Sequence, residues 1–229
     1  MKLNDAKQLE RTVEEINTSI ELMLSLAFED YSGIQHLLKG PFKIGESNFV
    51  NGAVSDMVSS LQYYDTLNQR CEHIIKNHYS ILHELQSEKQ RHSYDHVVSR
   101  NILRLNQLQF QIANADYVTS IANIQRALSV QKTGHFVTPA EMKAIFTHSN
   151  LISKGMCVIE WKFSEAIKTG VGWFGLDLEP KLNRIEALYS MESERLVMQA
   201  YIANPSIEHD AVLQYQYRNQ PDSSTIDLF

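Results

Sequence analysis

LNQLQFQIANADYVTSIANIQRAL, Leu105 to Leu128, decides the fold class of this chain. Its apolar residues fall into two series at once. Phe110, Ala113, Tyr117, Ile121, Ile124 and Leu128 form one, and Leu105, Leu108, Ile112, Ala115 and Ala122 form the other. Steps of three and four match the 3.6-residue turn, whereas a half-buried strand would alternate at every second residue. The spacing therefore predicts a helix over roughly residues 94 to 131 that is apolar on two sides. A helix of this kind is packed between neighbours, within its own chain or across a dimer.

Outward from this segment, four more stretches read as helices and none reads as a strand. In the first, about residues 4 to 29, Leu9, Val13, Ile16, Ile20, Met23 and Ala27 keep one face apolar. Gly33, Gly40-Pro41 and Gly45 then punctuate an expected loop from Tyr31 to Asn48. The second helix, about 49 to 89, has the seam Met57, Leu61, Tyr64, Cys71, Ile75, His78, Leu82 and Leu85. After Gly134, Thr138-Pro139-Ala140-Glu141 has the form of a capping box and opens a fourth helix to about Thr169. The fifth spans about 180 to 202, starting at Pro180, and the polar remainder after Asn204-Pro205 reads as a mobile tail. The expectation is an all-α protein built as a long antiparallel helical hairpin or bundle, as a homodimer. Residues 1–131 would form the hairpin bundle, residues 135–202 would pack on it, and residues 203–229 would be the tail.

Charge narrows the partners. With 21 Lys and Arg against 27 Asp and Glu, the chain carries −6 and shows no basic face on which nucleic acid would release its counterions. MKLNDAKQLERTVEE lacks the apolar core of a signal peptide, and no run approaches about 18 uninterrupted apolar residues. A soluble cytoplasmic protein without membrane insertion is expected. Cys71 and Cys157 have no CxxC spacing and read as buried thiols in helices, with no metal site.

The stretch LQYYDTLNQRCEHI, Leu61 to Ile74, carries the candidate chemistry. On a helical projection Gln62, Asp65, Gln69, Glu72, His73 and Lys76 share one polar arc, opposite Leu61, Tyr64, Cys71, Ile75 and His78. Asp65 and Gln69 stand one turn apart. A carboxylate can hold a partner's cation, and a carboxamide, donor and acceptor together, can orient a water. Orientation alone removes an entropic part of a barrier and needs no shifted pKa. The spacing by itself carries little weight. With 10 Asp and 15 Gln, chance supplies roughly 0.7 such pairs, and Asp210 with Gln214 is a second one.

The surrounding residues add to it. LQYYDTLNQRCEHI resembles the active-site helix of CheZ-type chemotaxis phosphatases, in which an Asp and a Gln four residues apart follow an aromatic, glutamine-rich lead-in. Leu105 to Leu128 and the acidic, apolar end STIDLF look like the same group. The close resemblance covers about a quarter of the chain, and Tyr64 stands where the group commonly has Gln. It implies that the protein binds a phosphorylated CheY-like receiver domain and promotes hydrolysis of its aspartyl phosphate. Asp65 would pair with a lysine of the receiver and Gln69 would position the attacking water. Gln62 and Glu72 would contact the partner, and Ile226, Asp227, Leu228 and Phe229 would tether it. The protein would need no cofactor of its own, Mg²⁺ being expected on the receiver.

Two alternatives use the same residues. One is a non-enzymatic helical adaptor that binds a receiver or another bacterial protein through the polar arc and IDLF. The other rests on a loose similarity of TIDLF to peptides that dock on sliding clamps, although Thr225 stands where those peptides prefer Gln. Gly170-Val171-Gly172-Trp173-Phe174-Gly175 matches GxGxxG but lacks a preceding strand, and reads as a connecting loop. His92 and His96 read as solvated turn residues. His73, His78 and His83 rotate away from one another and cannot share a metal.

Overall fold

The computed structural model describes residues 3–38, 60–86, 96–130, 138–167 and 178–219. Seven helices account for nearly all of them: α1 Leu3–Leu38, α2 Tyr63–Gln86, α3 His96–Val130, α4 Pro139–Ile167, α5 Leu178–Glu186, α6 Glu192–Ala203 and α7 His209–Asn219. No strand occurs among the described residues. The all-α class is therefore correct, and no helix among the described residues is long and apolar enough to cross a membrane.

The chain divides into two compact units interleaved in sequence. One takes in residues up to Val13, His73–Ile112 and the residues from Phe163 onward; the other takes in Glu14–Glu72 and Ala113–Lys162. We call them the first and the second unit.

In the first unit α3 is buried on nearly every side. Val98, Ile102, Leu103, Leu105, Leu108, Phe110 and Ile112 are core, and so are Ser99, Asn101, Asn106, Gln107 and Gln109. The amides find partners inside the unit. Asn77 donates to Asn106 (3.1 Å), the Tyr201 hydroxyl to Asn101 (2.7 Å), Gln107 to Ser164 (2.9 Å) and Gln109 to the Glu194 carbonyl (2.9 Å). Such pairing is what makes polar burial tolerable. In the second unit only one side of α3 is core. Tyr117, Ile121, Ile124 and Leu128 are buried while Ala122 is exposed and Ala115 half-buried, so the second apolar series ends where the second unit begins. At Leu105, Leu108 and Ile112 the second seam that suggested a dimer is thus covered by the chain itself.

Four expectations change. α1 continues through Leu38 instead of stopping near residue 29, because Ile34 extends its buried face. Gly33 falls on the exposed side of α1, where its cost to a helix is about 1 kcal/mol. The expected fifth helix is two, α5 and α6, parted by a turn in which Leu188 N–H bonds Ile185 carbonyl and Tyr189 N–H bonds Glu186 carbonyl. The expected tail contains α7, anchored by fully buried Val212 and by Arg104, which donates to the Ile207 carbonyl at 2.9 Å. Cys157 is exposed, unlike Cys71, whose thiol burial pushes up to about 12. The Gly170–Gly175 loop, His92 and residues 49–59 and 220–229 lie outside the described residues.

Candidate functional site

α2 is entered through a turn at Gln62, whose carbonyl accepts from Thr66 N–H at 3.2 Å. Asp65 then occupies the first turn of α2, where the positive end of the helix dipole favours an acid. From here the exposed face of α2 runs through Gln62, Asp65, Gln69 and Glu72. Leu61, Tyr63, Leu67, Arg70 and Cys71 are buried on the other side.

The exposed residues are not equivalent. Asn68 donates to Glu72 Oε1 at 2.8 Å, which ties Glu72 along the helix. Among the described residues no side-chain hydrogen bond engages Asp65 or Gln69. A carboxylate and a carboxamide one turn apart, both exposed and both uncommitted, can face a partner without first breaking an internal bond. The other DxxxQ pair differs. Asp210 lies 3.1 Å from His209 Nδ1, so the spacing recurs without the free carboxylate.

The polar arc also ends sooner than projection suggests. His73 is 8% exposed, and its Nδ1 lies 2.8 Å from Glu194 Oε1. Glu194, fully buried, accepts from Met191 N–H through its other oxygen at 3.3 Å. A single carboxylate thus serves the start of α6 and the ring of His73, and His73 leaves the candidate site. His78 is likewise buried, which holds its imidazole well below its ordinary value, at about 3. His83 is exposed. Among the described residues no group of three or more His, Cys, Asp or Glu is placed to hold a metal.

Aromatic side chains border this face within the second unit. The Tyr64 ring stacks on Tyr31 of α1, with centroids 4.9 Å apart at 18°, and meets Phe28 at 5.6 Å and 51°. Gln35 donates to the Tyr31 hydroxyl. Burial raises the Tyr64 phenol, and the neighbouring charges of Asp65 and Glu72 raise it further, so Tyr64 stays neutral. Position 64, an apparent departure from the group the stretch resembles, is a point of attachment to α1.

Beneath this face lies a buried polar cluster. Asp30, 3% exposed, accepts from Ser149 of α4 at 3.2 Å. Burial pushes its carboxyl up to about 6, against smaller opposing effects of the Ser149 hydroxyl and His148. Tyr63 and Tyr117 meet edge to face at 5.4 Å, and the hydroxyls of both are buried. Arg70, 1% exposed, has Asp116 of α3 at 3.9 Å. Asp30, Arg70 and Glu194 have no signal in a single sequence, because each is a charged residue on a buried position. The Phe28, Tyr31 and Tyr64 cluster has a faint one: Phe28 and Tyr31 are three apart and so share a side of α1.

Ile226, Asp227, Leu228 and Phe229 lie outside the described residues. No family model matches the chain, and neither a curated protein nor a solved structure matches it.

Proposed function

We propose that this protein binds a phosphorylated CheY-like receiver domain and promotes hydrolysis of its aspartyl phosphate. The observation that carries the reading is the exposed, uncommitted pair Asp65 and Gln69 on α2. Asp65 pairs with a cation on the receiver. The Gln69 carboxamide accepts a hydrogen bond from a water and holds it in line with the phosphorus. The water oxygen bonds to phosphorus as the bond from phosphorus to the receiver's aspartate oxygen breaks, which yields inorganic phosphate and a free carboxylate. A Mg²⁺ ion on the receiver would neutralise the developing charge. This protein's own contribution is orientation, the part of the barrier that needs no titrating side chain.

The test is the rate of phosphate loss from the cognate regulator. Gln69→Ala is expected to remove the stimulation by about a hundredfold or more, while binding stays within about twofold. Wild-type rates from Gln69→Ala would sink the assignment. If the chain binds the receiver without any faster phosphate loss, it is a helical adaptor, the second reading, which the same exposed face and the terminal IDLF support.

The hairpin belongs to this reading, supported by the pairings of α2 with α3 at Tyr63–Tyr117, Arg70–Asp116 and Asn77–Asn106. So does a homodimer, through a surface other than α3. Exposed Leu22 of α1 and Leu151 and Val158 of α4 supply apolar area for it. The cytoplasm is where such a receiver would be met.

A further inference from the structure

Resting on the receiver-domain reading above, we propose that Phe28, Tyr31 and Tyr64 are the docking half of the site. They form an aromatic ledge beside Asp65 on which the receiver domain seats. The flat stack of Tyr64 on Tyr31 and the bond from Gln35 to the Tyr31 hydroxyl fix the ledge from α1. Phe28 remains 53% exposed on top of it. An aromatic ring held in place before binding has few rotamers left to lose, which is why such rings anchor interfaces.

Charge selects the occupant. The ledge adjoins Asp65 and Glu72, and Glu21 and Glu29 of α1 are exposed as well. An acidic rim beside an apolar surface disfavours a polyanion and fits a protein that presents a cation within an apolar patch. The receiver lysine that Asp65 would meet is such a cation. The ledge is also distinct from Leu26, an exposed apolar residue of the same helix. On a helical projection Leu26 falls on the flank of α1 that carries Glu15 and Ser19, the residues that meet Lys162 of α4.

The experiment uses the full chain and the purified CheY-like receiver domains of its source organism, each loaded with Mg²⁺ and beryllofluoride for binding and phosphorylated for turnover. Phe28→Ala is expected to weaken binding about tenfold and to raise KM for dephosphorylation, with kcat within about twofold of wild type. Leu26→Ala is expected to change neither. Should Phe28→Ala lose its melting transition, Phe28→Lys, compatible with a helix and repelled by the receiver's cation, carries the same expectation. Binding by a folded Phe28 variant within about twofold of wild type, or an equal loss from Leu26→Ala, overturns the ledge even where Gln69→Ala abolishes turnover. If the wild-type chain binds none of the receivers and Gln69→Ala changes no rate, the receiver reading has failed and the ledge with it.

Discussion

Asp30 shows what a single buried carboxyl does to this protein. Burial raises it from 3.8 to about 6, so the folded state prefers its protonated form more than the unfolded chain does. The stability this confers is complete below about pH 4 and is lost as pH rises through about 6. The gap between those two values corresponds to about 3 kcal/mol. Asp30→Asn, which stays neutral and can still accept from Ser149, is expected to match wild type near pH 4 and to melt at higher temperature above pH 7. Melting curves across that range check it, and equal curves at all pH values would contradict it. The groups coupled to Asp30 are His148 and Ser149 of α4 and the buried phenols Tyr63 and Tyr117, which its charge pushes further up. None of this was legible in the sequence, where Asp30 is one acid beside Glu29. The projection of α2 did place Asp65 and Gln69 outside the core, because Leu61, Cys71 and His78 lie opposite them; it took Tyr64 and Ile75 for core where the buried residues are Leu67 and Ile74.

Glu194 joins two elements. Its carboxylate bonds Met191 N–H at the start of α6 and His73 on α2, and the ring of Tyr189 lies 6.1 Å from that of His73. Glu194→Ala would leave His73 buried without its acceptor and α6 without its first-turn bond. A loss of about 2–4 kcal/mol is expected in urea unfolding, with Glu194→Gln in between. The same carboxylate explains why the fifth predicted helix divides. Periodicity reads Leu182, Ile185, Leu188, Tyr189 and Leu196 as the apolar residues of one helix, but Leu188 is exposed and Tyr189 is buried in the turn that divides it. Where packing simply follows the 3.6-residue period, as in α1 from Val13 to Ala27 and in α3 from Phe110 to Leu128, the elements were readable directly. They were not readable where a tertiary contact sets the boundary, as at the far end of α1 and at the start of α7.

For the whole chain, the terminal IDLF and the face of α2 are expected to contribute separately. Removing Ile226 to Phe229 should lower the apparent affinity for the regulator and leave the dephosphorylation rate at saturation unchanged, because a tether raises local concentration without touching the reacting atoms. Equal KM values with and without those residues would exclude the tether. A homodimer through α1 and α4 predicts twice the chain mass in light scattering at micromolar concentration, reduced to one chain by Val158→Glu. The buried amides of the first unit carry a different implication. Asn77 and Asn106 are 2% and 0% exposed and bond each other, so either one replaced alone would strand its partner away from water. The two positions can change only together, to a pair of apolar residues or to another matched polar pair. Among descendants of this chain they are expected to covary, and a lineage that exchanged both for leucine would gain stability while losing the key that fixes how α2 and α3 align.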